Sequence, residues 1–505
     1  MGNVGTYLGA TKRASLPPRG HMATSLSLIA VLVAACSPQK GGGVGEGSSG
    51  GHGGVGGSVG TADAGQAGGS GGDAGSGATG ASGAAAGSGG TPPVAACEFS
   101  VKASLSERIQ TVGIVEWSTT LSNVSNARIE FGLTTSYGMT APASARSSGY
   151  RTLLLGMKQN RTYHYRLSAS SPADTCYSSD YTIETGLLPG GLPELVVTTN
   201  NGAALDGGFL ATGLAPPSAS EAPALVLDAD GDIVWAYFLP GSNVVSARQS
   251  YDGASIWLNS VNAPSQGANV HRVSMDGLTE ENYSAPFAGQ NHQLAVLPDE
   301  TVAFNAYGNG VCDDIKEFNP ASGEVVTVIS ASAVVNDKGP CHLEAFAYSP
   351  ADDTLIFSDI FHNSIAKVTR TGKIVWILGG SSSSFTGSGT DWLQPQGLHP
   401  LAADRLLFFN NTSANTSTTV EVRLDSGTST AEIAWSYGDP ALRNGMITGD
   451  VQRLANGNTI VGYPIANIIR EVSPAGEVLQ ELKWPRGSLF GYIQKRRSLY
   501  GPPPR

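Results

Sequence analysis

Six glycines recur along the second half of the chain, Gly231, Gly277, Gly323, Gly372, Gly427 and Gly476, separated by 46, 46, 49, 55 and 49 residues. Several sit in similar phrases, as in Asp230-Gly231-Asp232-Ile233-Val234-Trp235 and Thr371-Gly372-Lys373-Ile374-Val375-Trp376. A second register of short apolar stretches runs between them, centred on Trp257, Phe304, Phe357, Phe408 and Val461. Self-similarity at this period predicts radially repeated four-stranded units, so residues 190–486 are expected to be all-β, a six-bladed β-propeller. Its inner strands meet around one axis, so residues at matching phases, far apart in sequence, share one pocket.

The starts of the expected inner strands read Arg248-Gln249, Asn291-His292-Gln293, Cys341-His342-Leu343-Glu344, Gln396-Gly397-Leu398-His399 and Asp450-Val451-Gln452-Arg453. The chain holds 8 histidines, and three of them, His292, His342 and His399, fall at similar phases of consecutive blades. Converging imidazoles serve as general bases near neutral pH, or as a nucleophile held in one tautomer by its neighbours. Glu344 beside His342 is the one carboxylate that would join them as a metal ligand. No second carboxylate recurs at this phase, so neither a metal nor a cofactor is expected. The alternative is a polar channel lining that does no more than bond water. Asp228-Ala229-Asp230-Gly231-Asp232 has the look of a calcium loop but lacks the closing glutamate, and reads as a blade turn.

The 505 residues carry a formal charge of −11, and no basic stripe with interleaved aromatics supports nucleic-acid binding. Residues 1–35 read as an export leader: Lys12, Arg13 and Arg19 precede an uncharged run, Ala23–Ala35, with Met22 as an alternative start. Val33-Ala34-Ala35-Cys36-Ser37 resembles the lipobox of bacterial lipoproteins, which implies cleavage before Cys36, lipid attachment there, and sorting to the cell envelope, with Ser37 favouring the outer membrane. Residues 36–93, dominated by Gly, Ala and Ser, are expected to form a flexible tether. In an oxidising compartment the four remaining cysteines favour two disulfides, Cys97–Cys176 and Cys312–Cys341. Residues 97–187 read as a β-sandwich acting as a spacer, and 487–505 as a flexible, solvated tail. Trp117, Phe131-Gly132 with Tyr137-Gly138, and Tyr163-His164-Tyr165 make the 97–187 stretch resemble a fibronectin type III domain, with both tyrosines as packing residues.

Residues 190–486 resemble the bacterial arylsulfotransferase propellers. The matching phrases are Asn291-His292-Gln293-Leu294-Ala295-Val296-Leu297-Pro298-Asp299, Cys341-His342-Leu343-Glu344, Leu406-Leu407-Phe408-Phe409-Asn410-Asn411, Gln452-Arg453-Leu454-Ala455-Asn456-Gly457-Asn458 and Arg470-Glu471-Val472-Ser473-Pro474. The resemblance implies sulfuryl transfer from an aryl sulfate to a phenol through a sulfated histidine. His292 and His342 then match the first two pocket histidines. The nucleophile falls on His399, although the ungapped register places Gln396 nearer the position. Glu344 stands where the family has asparagine, and the family's arginine has no counterpart in Phe357-Ser358-Asp359-Ile360. Arg248 or Arg453 is the available substitute for that cation at the substrate. The two readings are therefore an envelope-anchored aryl-sulfate sulfotransferase using His292, His342 and His399, and a degenerate propeller that binds a ligand or partner at the cell surface.

Overall fold

Strand pairing in the computed structural model begins at Phe99; the structure describes residues 97–214, 221–240, 242, 244–260, 269–308, 312–334, 341–411, 417–442, 449–485 and 489–502. The expected leader, Cys36 and the tether lie outside the described residues. Among the described residues no helix is long and apolar enough to cross a membrane.

Two sheets open the described chain. One pairs Phe99–Leu105, Gly113–Thr119, Gly149–Leu154 and Ser144–Arg146; the other pairs Met139–Pro142, Asn126–Gly132, Thr162–Ser170 and Thr175–Tyr177, with Tyr181–Glu184 also on Thr162–Ser170. Alternation along these strands turns Val115, Trp117, Ile129, Phe131, Tyr163, Tyr165 and Leu167 into one shared core. Both tyrosines thus pack as expected, and the Cys97–Cys176 disulfide forms.

Six further sheets follow, and the innermost strand of each touches those of its neighbours in a closed ring. We number these blades by position. Blades 2 to 5 each run outward through four consecutive strands, with inner strands Val244–Gln249, Gln290–Val296, Leu343–Ser349 and Gln396–Ala402. Blade 6 starts at Asp450–Arg453 and carries a fifth, outermost strand, Val196–Thr199, from the beginning of the ring. Blade 1 is completed from the other end. Its inner strand is Phe490–Arg496, paired antiparallel with Phe209–Leu214.

That pairing corrects the expectation of a solvated tail. The basic run of the tail is not uniformly exposed: Lys495 is buried and its Nζ lies 2.6 Å from Glu471 Oε2 on blade 6. The period-marking glycines all fall in the turn between third and fourth strands. Five of them adopt positive φ, Gly231 at 88° and Gly372 at 83° among them. A Cβ on Gly372 would stand 2.2 Å from the Val328 carbonyl of blade 3, so this turn requires glycine for space as well as angle. In blade 5 the left-handed residue is Ser429 rather than Gly427. Trp257, Phe304, Phe357, Phe408 and Val461 are buried on second strands, between blades, as their period demands.

The sandwich is no detached spacer. Ile109, Val112 and Leu155 join a core with Trp235, Tyr237, Met275 and Leu499 of blades 1 and 2 and the C-terminal segment. Tyr500 donates its hydroxyl to Leu153 O at 2.8 Å and accepts the Leu155 N–H at 2.9 Å. Arg151 pairs with Asp276 at 2.5 Å. Lys158 Nζ sits among the carboxylates of Asp228, Asp230 and Asp232 at 3.2, 2.6 and 2.6 Å, and these ion pairs raise its pKa against the opposing effect of burial. The turn that looks like a calcium loop is therefore occupied by an ammonium group of the same chain.

Candidate functional site

All six inner strands run in parallel around the axis, and polar side chains stitch them sideways. Gln293 Oε1 accepts the N–H of Phe346 on the next blade at 2.8 Å, and Gln396 Oε1 that of Gly449 at 2.9 Å. Gln452 Oε1 accepts from Lys495 N at 2.7 Å, and Gln494 Oε1 from Gln249 N at 2.9 Å. His399 does the same work: its Nδ1 accepts the Arg453 N–H at 2.8 Å. Burial, reinforced by the Arg453 charge, pushes its pKa down to about 4. A neutral imidazole that accepts at Nδ1 carries its proton on Nε2, so neither nitrogen offers a lone pair.

His342 stands at the rim of blade 4 in the opposite condition. Its Nδ1 lies 3.6 Å from Asp313 Oδ2 and its Nε2 3.5 Å from Glu344 Oε2. Burial works against its charge, yet the two carboxylates outweigh it and push the pKa up to about 10. At neutral pH it is an imidazolium. The carboxylates flank opposite nitrogens, so the three groups do not converge as metal ligands; among the described residues the one acidic group close enough for that is the Asp228 turn. Tyr307 stacks near the imidazole at 6.3 Å between centroids, and Phe361 lies at 5.8 Å on a half-exposed ring, so the rim presents a row of three rings.

Tyr492 of blade 1 is fully buried, and its hydroxyl approaches the Glu344 carbonyl of blade 4 at 3.5 Å. Burial drives its pKa upward, with Glu344 and Asp450 adding to the effect. Arg248 is committed to structure: it donates to Ile493 O and lies 3.5 Å from Asp450, tying blades 2, 1 and 6 together. Arg453 is committed likewise, paired with Glu421 at 2.7 Å and stacked on Trp435 at 4.4 Å. Both guanidinium groups thus have partners within the chain itself. The backbone of His292 belongs to the inner strand of blade 3, within an irregular register between Asn291 and Leu294; its side chain is outside the described residues.

One histidine that the phase argument passed over stands beside His342. His362, in the turn after the second strand of blade 4, has Nδ1 2.6 Å from Asp359 Oδ2. The other oxygen of Asp359 accepts the N–H groups of His342, at 3.2 Å, and Phe361, at 3.0 Å. Its signal in sequence is Asp359-Ile360-Phe361-His362, a carboxylate and an imidazole three apart at a strand end, outside the repeat phase.

No protein-family model matches the sequence, and no curated protein does. Among solved structures, TolB from Acinetobacter baumannii is similar at 13% identity, with 67% of this chain and 80% of that chain covered and a TM-score of 0.42. A nidogen/laminin complex matches at 11% identity over 57% and 97%, TM-score 0.40, and a streptogramin B lyase at 17% over 58% and 88%, TM-score 0.34. Values at this level fix neither family nor function, and the ring of six sheets stands on its own strand pairing.

Proposed function

We propose that this protein is a ligand-binding module of the bacterial cell envelope. In this reading Cys36 is lipidated and the tether carries a fibronectin type III-like sandwich fused to the propeller, away from an outer membrane. The rim at blades 3 and 4 takes a small ring-bearing ligand against Tyr307, His342 and Phe361. The observation that carries this choice over sulfuryl transfer is the bonding state of the imidazoles. His399 has both nitrogens engaged or protonated, and His342 is an imidazolium held between two carboxylates. A histidine nucleophile needs a lone pair, and a sulfuryl group in flight needs an uncompensated cation. Asp313 and Glu344 together outnumber the single His342 charge, which disfavours an anionic donor and favours a neutral or cationic ligand.

The test uses the full chain with 4-nitrophenyl sulfate and phenol, alongside a thermal-shift screen of phenols, saccharides and aromatic amines. The expected outcome is no phenol-dependent nitrophenolate, with at least one ring-bearing compound raising Tm. A ligand at a hundred times its Kd stabilises by about 2.7 kcal/mol, which is readily detected. Phenol-dependent nitrophenolate release that disappears in His399→Ala would establish the enzyme reading instead.

A further inference from the structure

We infer that His362, positioned by Asp359, is the proton-accepting group of this rim, and that it takes a hydrogen bond, and at need the proton, from an acidic hydroxyl on the ring-bearing ligand. The ligand half of this inference rests on the binding reading above; the chemistry of the dyad does not.

The argument starts from the carboxylate. Asp359 is buried, and its oxygens have divided tasks: one receives the His342 and Phe361 backbone N–H groups, the other faces His362 Nδ1 at 2.6 Å. A carboxylate at that distance accepts, so the imidazole proton is fixed on Nδ1 and the lone pair on Nε2. Among the described residues His362 Nε2 has no hydrogen-bond partner, and the side chain keeps 16% of its surface. This is the arrangement that makes an imidazole a general base: one nitrogen oriented by a buried acid, the other open. The described histidines at the inner ring lack it, since His399 Nδ1 is bonded to Arg453 and His342 is flanked by acids on both nitrogens. On the sandwich, His164 also meets an aspartate, Asp180, at 2.7 Å, but those two side chains are 30% and 34% exposed and form a surface pair.

Phe361, adjacent in sequence and half-exposed, supplies the flat apolar wall that a ring would stack on. The charged groups around His362 are Asp359 at the end of the second strand of blade 4 and His342 just before its inner strand, with Asp313 and Glu344 behind His342. In the transfer, the ligand O–H bond breaks as Nε2–H forms. The products are an imidazolium paired with Asp359 and a ligand oxyanion, and no oxidant, reductant or other reactant enters. A phenolic hydroxyl fits best, because its acidity is closest to that of an imidazolium among common uncharged hydroxyls.

Diethyl pyrocarbonate acylates imidazole nitrogens that carry an accessible lone pair, so peptide-resolved labelling of the full chain reads the dyad directly. His362 is expected to label faster than His342 and His399 at neutral pH. Asp359→Asn should slow it roughly tenfold by releasing the tautomer. Saturating phenol should protect it, and the protection should weaken in Phe361→Ala. Labelling of His362 no faster than of His399 overturns the inference, as does a rate unchanged in Asp359→Asn with the circular dichroism of the native protein. Should Asp359→Asn fail to fold, Phe361→Ala and the wild-type chain decide: His362 labelling that phenol slows equally in both removes the proposed ring-stacked base. Rapid, Asp359-dependent labelling with no protection by phenols overturns the ligand half alone, while the binding reading falls only if no ring-bearing compound raises Tm.

Discussion

The rim of blade 4 and the seam between blades 5 and 6 each hold a histidine at nearly the same phase of the repeat, and the two are in opposite states. His342 lies between Asp313 and Glu344 and is pushed up to about 10; His399 is half-buried beside Arg453 and pushed down to about 4. The repeat decides how far from the axis a residue sits. It does not decide which side chains the adjacent blade brings to it, and those set the charge. Blade 3 sends Asp313 to the first histidine, whereas blade 6 sends a backbone N–H and the Arg453 guanidinium to the second. Equivalent positions in a repeat are therefore not equivalent in chemistry.

If the seams between blades are structural and the rim functional, the largest stability loss should come from a seam, here the one between blades 6 and 1. Glu471 of blade 6 is buried against Lys495 of blade 1 at 2.6 Å and also accepts from Asn458 Nδ2 and Asp206 N, both at 2.8 Å. Glu471→Ala leaves a buried ammonium and two N–H groups without their acceptor. Its expected loss is about 3–5 kcal/mol by denaturant unfolding. Glu344→Gln at the rim, which keeps the shape and one acceptor oxygen, should lose far less at pH 7. Equal losses in the two variants would dissolve the distinction between the regions.

Much of the frame was legible because it obeys a period. The glycine turns, the buried second-strand residues and the sheet count follow from spacing, and the positive φ at Gly231, Gly277, Gly323, Gly372 and Gly476 gives the physical reason for the glycines. Both expected disulfides are present. What was not legible depends on partners far away in sequence. Lys495-Arg496-Arg497 has the composition of a solvated end, and only Glu471, on another blade, makes Lys495 a buried residue. Arg248 and Arg453 look available until Asp450 and Glu421 are placed beside them. Lys158 gives no sign in sequence of reaching the Asp228 turn. His362 was missed for the converse reason: its partner is local, but the residue lies outside the repeat phase.

The opposite states of the two histidines also predict opposite pH limbs. His342 has a folded pKa above its ordinary value of 6.5, so its contribution is fully present below pH 6.5 and is lost as pH rises through about 10. His399 has a folded pKa below 6.5, so its contribution is present above pH 6.5 and is lost as pH falls through about 4. Unfolding free energies measured across this range should fall at both ends. Glu344→Gln should flatten the alkaline limb and leave the acid limb in place, and an NMR titration of His342 should move toward neutrality. An alkaline limb unaffected by Glu344→Gln would show that Glu344 does not hold the His342 proton.

The smallest expected effect is the sharpest test of the seam. At the seams of other blades the acceptor is a glutamine, Gln293, Gln452 or Gln494, and Gln396 does the same beside His399 on blade 5; each receives a backbone N–H from the next blade. If His399 is one more such acceptor, His399→Gln restores the bond to Arg453 N and should change stability by less than about 1 kcal/mol, whereas His399→Ala leaves that N–H unpaired and should lose about 1–3 kcal/mol. The glutamine variant also removes the only group to which the acid limb between pH 6.5 and pH 4 is assigned here, so that limb should shrink while the fold and ligand binding persist. A nucleophile behaves otherwise, since glutamine cannot carry a transferred group. Loss of a measurable activity in His399→Gln, with stability intact, would move His399 from the seam into the chemistry and reverse the ordering of the two regions.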